Sequence, residues 1–370
     1  MTVDSFFESL EQQYNNQLPF VVYSRPINSI IKCWLQRNDD LHSTTDFTES
    51  GFVFSPFDLN RESILLPEDQ CDLFKLEVSH LDINEDFVPT AISNDDSAHH
   101  LELVSKGILS IKNGDFDKVV LSRSVEKVSE TNHPLTVFKR LFNTYKNAMV
   151  YCWYHPKVGL WLGATPELLF KVEGRQITMI SLAGTKPYSA NNPIPWTDKE
   201  YEEQQIVTDF IVNQVNDFTD KTSTTEVETV KAGNLLHLKT YINSRMKDDC
   251  RLSTIIEALH PTPAVCGYPK QIAKDFILKH EGYNREFYTG FLGELNLKHS
   301  KTRNTNRRNV ENNAYGLVQT HSNFYVNLRC MQLKEDKAII YVGGGIIKDS
   351  NPEKEWQETV NKTKTMLNVI

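Results

Sequence analysis

Two periods of hydrophobic and polar positions divide this chain. Runs such as "FVVYSR" (20–25), "GFVFSPF" (51–57), "DKVVLSRSVEKV" (117–128), "MVYCWYHP" (149–156) and "GLWLGA" (159–164) are short, aromatic or β-branched and bounded by turn residues, which predicts strands. The stretch "ELLFKVEGRQITMIS" (167–181) predicts a hairpin turning at Glu173–Gly174. "FYTGFLGELNL" (287–297) and "NFYVNLRCMQLKEDKAIIYVGGG" (323–345) continue the strand pattern. A helical period replaces it over 90–113, ending at Gly114, then over 133–148, over about 198–217, and in the last twenty residues. Residues 1–90 read as short strand-like runs separated by polar loops. Long strands in hairpins, interleaved with helices, predict an α+β protein of antiparallel-rich sheets packed together and flanked by helices, not a βαβ repeat. No repeat or linker breaks the pattern, so one domain over 1–370 is expected. The polar, basic, aperiodic stretch "KHSKTRNTNRRNVENN" (298–313) reads as an exposed insertion between two strands.

Composition narrows the function. At 39% hydrophobic and 24% charged the 370 residues suit a large globular core, and no apolar run approaches a bilayer span. The first twenty residues lack the basic and apolar regions of a signal peptide. Six scattered cysteines without a C-x-x-C pair argue for reduced thiols in a cytoplasmic protein rather than a disulfide framework or zinc site. A net charge of −8 argues against nucleic acid or an anionic membrane as partner. An anionic small molecule would need a local cluster of cations.

The closing helix is the first candidate for chemistry. Ser350 or Asn351 can cap it, Pro352 suits its first turn, and Glu355, Glu358 and Lys362 share one stripe. Trp356, Val360, Thr363 and Leu367 form a second stripe that can anchor it. Gly343, Gly344 and Gly345 precede it, with Lys348 where a dinucleotide fingerprint needs glycine. They form either a plain turn or a place where backbone N–H groups approach an anion. Glu203 shares a helical face with Ile206, Val207 and Phe210, the side expected to be buried, where a carboxylate needs a cation or metal. Its neighbours Glu200 and Glu202 suit a solvated face. Lys118 opens a strand, and if buried would have a depressed pKa and could act as a base. Glu167 follows a proline at a strand junction. His237 and His260 are either orienting groups or satisfied core histidines.

Taken together, "KVVLSR", "GATPELLF", "SLAGTKP", "KEYEEQQIV", "LLHL", "LHPTPAVCG", "VNLRC", "GGGI" and "PEKEWQET…K" resemble, in their order, the motifs of chorismate-utilising enzymes. The resemblance covers roughly residues 90–370, is looser over 1–90, and is nearest to isochorismate synthases. It implies that Glu203, Glu355 and Glu358 hold a Mg²⁺ that binds the ring carboxylate of chorismate. It implies that Arg329 and Lys362, with the amides of Gly343 and Gly345, receive the enolpyruvyl carboxylate. Gly184, Thr185 and His260 match residues near the substrate. Lys118 matches the lysine that activates water for attack at C2, where anthranilate synthases carry glutamine, and Glu167 matches the acid that protonates the departing C4 hydroxyl. A monomer is expected by the same resemblance. Salicylate synthase, which additionally eliminates pyruvate, is the nearest alternative, followed by an anthranilate or aminodeoxychorismate synthase component. A silent chorismate-binding scaffold is disfavoured by the complete set Lys118, Glu167, Glu203, Glu355 and Glu358.

Overall fold

Strands whose every residue is apolar need cover on both faces, and two stacked sheets with helices outside them supply it. The computed structural model describes residues 1–83, 97–128, 133–188, 195–232, 235–301 and 317–370. The elements begin α1 (Val3–Asn15), β1 (Phe20–Ser24), β2 (Ile30–Gln36), β3 (His42–Thr44), β4 (Gly51–Ser55), β5 (Ser63–Pro67) and β6 (Cys71–Glu77). Then follow α2 (Ala98–Lys112), β7 (Lys118–Val128), α3 (Pro134–Thr144), β8 (Met149–His155), β9 (Gly159–Thr165), β10 (Leu168–Glu173) and β11 (Gln176–Pro187). Next are α4 (Asp198–Val215), β12 (Thr219–Thr224), β13 (Glu228–Ala232), β14 (Leu235–Met246), α5 (Leu252–Leu259), β15 (Gly267–Tyr268) and α6 (Lys270–His280). The chain closes with β16 (Phe291–Lys301), β17 (Leu317–Val326), β18 (Cys330–Lys334), β19 (Lys337–Ile346) and α7 (Pro352–Leu367).

The first sheet runs β15-β7-β19-β18-β9-β8-β1-β2-β6, and the second β12-β14-β11-β10-β17-β16-β4-β5-β3 with β13 paired to β14. The pairings run antiparallel, as in β7 with β19 and β11 with β14. Along β1, Phe20 and Val22 turn to a cluster containing Phe6 and Leu10 of α1, Phe138 of α3 and Leu367 of α7. Val21 and Tyr23 turn the other way, to meet Phe52, Phe54, Trp153 and Trp161 between the sheets. The far face of the second sheet packs Phe170, Ile177 and Phe324 on Val215 of α4 and Ile255 and Ile256 of α5. Each such fully buried side chain contributes about 1.5–3 kcal/mol. Helices α2 and α6 cover the β7 end of the first sheet.

Two expectations fail here. Residues 3–15 are a helix, not strand-like: Thr2 and Ser5 form a reciprocal capping box, and Phe6, Phe7 and Leu10 bury one face. On α4 the buried side is Gln204, Thr208 and Val215, while Ile206 is 68% exposed. The Gln204 amide donates to the Ser181 carbonyl and to Thr240 Oγ1, so hydrogen bonds rather than apolar contact seat the helix. The expected hairpin forms with its turn one residue later, at Gly174–Arg175, Glu173 still pairing with Gln176. Residues 302–316, most of the basic stretch, lie outside the described residues, between β16 and β17.

The register opens one seam. Strand β18 pairs with β19 only as far as Tyr341, whereas β7 follows β19 to Ile346. Residues 342–346, which include the three glycines, therefore have no β18 partner on one edge.

Candidate active site

The glycines make the end of β19 thin enough for side chains to cross it. A Cβ on Gly345 would sit 3.1 Å from Lys118 Cε, and one on Gly344 would sit 3.4 Å from Glu355 Oε2 and 3.8 Å from Glu358 Oε1. Because neighbouring strand residues face opposite ways, Lys118 lies against one side of the strand and the two glutamates against the other. A Cβ on Gly343 would be 2.8 Å from the Leu121 carbonyl and 3.0 Å from the Tyr288 hydroxyl. The Gly343 approach to backbone is one that only glycine allows, and all three glycines lie in strand β19 rather than in a loose turn.

Lys118 and Glu167 are both driven towards their neutral forms. Burial lowers the Lys118 pKa; the Glu167 charge opposes this and Lys362 adds to it. Burial raises the Glu167 carboxyl to about 7 against the pull of Lys118. The Glu167 backbone is pinned, its carbonyl accepting from Val326 N at 3.0 Å and its N–H donating to Thr165 Oγ1 at 3.3 Å.

Helix α7 presents its stripe as expected. Asn351 Oδ1 caps it by accepting from Lys354 N at 3.0 Å, with Pro352 next. Burial raises the Glu355 pKa and the Glu358 charge adds to it, while Ser350 and Lys362 oppose. Lys362 Nζ lies 2.6 Å from Glu358 Oε1 and donates to the Gly343 carbonyl at 2.8 Å. Two carboxylates converging on one glycine, one of them strained by the other's charge, fit a hard divalent cation with oxygen ligands. Among the described residues no group of three His, Cys, Asp or Glu side chains completes such a site. The Glu203 side chain lies outside the described residues, as does that of Thr185, although α4 and β11 carry their backbones.

The remaining expected residues divide. Arg329 has a left-handed backbone, φ 49°, and its Nη1 donates to Thr365 Oγ1 of α7 at 3.1 Å. Gly184 sits at a bulge in β11 with φ 67°, and its carbonyl meets His237 Nδ1 at 3.2 Å. His237 feels the Arg329 charge and Arg329 feels Glu358, which links the two sheets' contributions. His260 sits deeper. It is buried, its Nε2 is 3.2 Å from the Phe57 carbonyl, its ring packs edge-on to Phe291, and burial takes its pKa down to about 3. Its described contacts join it to the core rather than to Lys118 or α7.

Three participants escaped the reading of the residues. Glu200 is no solvated glutamate: it closes a capping box with Thr197 and pairs with Lys186 at 3.0 Å, Thr197 first among the groups that hold its carboxyl down to about 2. Its i, i+3 spacing from Thr197 was the available signal. Tyr288 and Thr365 reach the site through contacts that no local pattern announces. All six cysteines are free thiols, and no helix among the described residues is long and apolar enough to cross a membrane.

A lysine and a glutamic acid each displaced towards the neutral form, cations aimed at an open strand edge and paired carboxylates behind it define a site for an anionic small molecule. The chain belongs to the chorismate binding enzyme family, whose model matches residues 65–301 and 306–370. It is 27% identical over 276 residues to the salicylate biosynthesis isochorismate synthase of Pseudomonas aeruginosa, covering 72% of this chain and 53% of that protein. It is 28% identical over 288 residues to isochorismate synthase DhbC of Bacillus subtilis, covering 72% of this chain and 66% of the relative. The matched region thus spans about half to two thirds of these relatives' length. Among solved structures, MenF of Escherichia coli, a menaquinone-specific isochorismate synthase, superposes with a TM-score of 0.74 at 20% identity, covering 94% of this chain and 88% of that one. Anthranilate synthase component I of Streptococcus pneumoniae gives 0.65 at 17%, covering 94% and 90%. The antiparallel α+β fold is therefore shared with both solved structures.

Proposed function

We propose that this protein is an isochorismate synthase, acting as a monomer on chorismate with Mg²⁺. The observation that carries the reading is the pair Lys118 and Glu167, a base and an acid each displaced towards the neutral form its task requires. Lys118 takes a proton from water as the water oxygen bonds to C2 of the ring. The C1–C2 double bond moves to C1–C6, the C5–C6 double bond moves to C4–C5, and the C4–O bond breaks. Glu167 delivers its proton to the departing hydroxyl, which leaves as water. One water enters and one leaves, so the exchange is reversible. Arg329 and Lys362 orient the enolpyruvyl carboxylate, with the amides at Gly343 and Gly345. Glu203, Glu355 and Glu358 would hold Mg²⁺, which when bound neutralises the ring carboxylate in an otherwise acidic corner.

The test is incubation with chorismate and MgCl₂, followed by chromatography. A mixture of chorismate and isochorismate, approached from either side, is expected. Stoichiometric pyruvate, read by coupling to lactate dehydrogenase, would overturn this choice in favour of a salicylate-forming enzyme.

A further inference from the structure

Strand β7 carries Lys118, yet its outer edge has almost no strand beside it. Strand β15 pairs only with Lys118 and Val119. Backbone groups left bare on a buried edge are costly, so something must replace the missing neighbour. Two side chains do so. Arg285 Nη2 donates to the Val120 carbonyl at 2.7 Å, and Glu281 Oε1 accepts from Ser122 N at 2.8 Å and from Ser122 Oγ at 2.9 Å. The two replacements pair with each other in a forked ion pair, Arg285 Nε lying 2.7 Å from Glu281 Oε2, with side chains 2% and 1% exposed. Arg285 also donates to the Val265 carbonyl at 2.9 Å, one residue before the Cys266 carbonyl that accepts from Val120 N at 2.8 Å. Its guanidinium rests over the Phe57 ring, 4.5 Å from the centroid. Across the strand, Val120 is in register with Gly345, the residue over which Lys118 lies.

The geometry points to Glu281 and Arg285 as positioning residues that act through β7 to hold Lys118 against Gly345. Arg285 bonds to the strand two residues beyond Lys118, at Val120, and Glu281 four residues beyond it, at Ser122, and neither touches Lys118 or the carboxylates of α7. A fork of fixed geometry bonded to the strand leaves it no freedom to slide, whereas an ordinary edge could fray by a residue. The substrate-orienting cations sit on other elements, Arg329 just before β18 and Lys362 on α7, so the pair should govern turnover and not affinity. This inference rests on the proposed role of Lys118, and its test has one arm that does not need turnover.

The variants are Arg285→Lys, which keeps the charge and loses the fork, and Glu281→Gln, which keeps an acceptor for Ser122 and loses the charge. Ser122→Ala removes one contact to Glu281 at little risk to folding and stands in if either buried change fails to fold. In folded variants kcat should fall at least about tenfold with KM for chorismate within about twofold, since small misplacement of a reacting group is costly. Independently, competitive acetylation followed by mass spectrometry should show Lys118 labelled at least about threefold faster, relative to half-exposed Lys171, as the edge opens locally. Folded variants with wild-type kcat and wild-type Lys118 labelling would overturn the inference. A rise in KM at constant kcat would overturn it too, by placing the pair with the substrate-binding groups. If the wild-type protein shows no turnover, the function proposed above fails, and the labelling arm alone decides the role of the pair.

Discussion

Lys362 and Glu358, one turn apart on α7, form an ion pair of 2.6 Å, and the same ammonium reaches the Gly343 carbonyl at 2.8 Å. The pair is 32% and 50% exposed, and an i, i+4 pair of that kind contributes only about 0.3–0.5 kcal/mol. Its placement at the open edge of β19 matters more than its strength, because it aims a cation along the glycine strand.

Lys362→Met should therefore move the thermal midpoint by no more than about 2 °C while raising KM for chorismate at least about tenfold, the scale of a lost charge-assisted contact. Calorimetry and initial rates check this. A large drop in Tm with unchanged KM would make Lys362 a structural tie and nothing more.

Glu167 links activity to pH and stability. Its folded pKa, about 7, lies above the ordinary 4.5, so the stability it contributes is present below about pH 4.5 and lost as pH rises through 7. Lys118 runs the other way: its folded pKa is lowered, so its contribution grows as pH rises towards 10.5. Glu167→Gln should abolish the first loss and stabilise the protein by about 1–2 kcal/mol at pH 8 in urea unfolding, while kcat falls at least about a hundredfold. Parallel stability–pH curves for variant and wild type would show that Glu167 ionises as it does in water.

Much of this architecture is legible along the chain because it is local. The α7 cap, its stripe of Glu355, Glu358 and Lys362, and the hairpin that turns at Gly174 each follow from spacing within a few residues. Helix α4 misleads because its buried face is polar: Gln204 and Thr208 hydrogen-bond to Ser181, so hydrophobicity points to Ile206, which faces solvent. Helix α1 was within reach, its capping box and its Phe6, Phe7 and Leu10 being a helical signal among strand-like neighbours. Contacts such as Arg329 with Thr365, or Arg285 with Val120, join residues far apart in sequence and leave no periodic trace.

The last two glycines of β19 should respond differently to a methyl group. At Gly345 the new Cβ would crowd Lys118 Cε at 3.1 Å, and a flexible side chain gives way before backbone does. Gly345→Ala should therefore fold normally and lose about ten- to a hundredfold in kcat through displacement of Lys118. At Gly344 the nearest atom is Glu355 Oε2 at 3.4 Å, an ordinary contact, so Gly344→Ala should keep kcat within about threefold. Equal losses in both variants would show that chain flexibility, not the seat of Lys118, is what the glycines provide.

The final prediction separates a metal site from a solvated acidic face. Burial and the Glu358 charge raise the Glu355 pKa, so without a cation its ionisation costs stability, a cost that grows as pH rises through that pKa. In metal-free protein at pH 8, Glu355→Gln should then be at least as stable as wild type. Mg²⁺ should reverse the order, since a ligand that binds only the folded state stabilises by about 2.7 kcal/mol at a hundred times its Kd. The variant, short of one ligand and its charge, should gain much less. Thermal unfolding of both proteins with EDTA and with excess MgCl₂ gives four midpoints, and the crossing of the two pairs is the signature. A wild-type midpoint indifferent to Mg²⁺ would mean that Glu355 and Glu358 face water and that the anion is received by the cations alone.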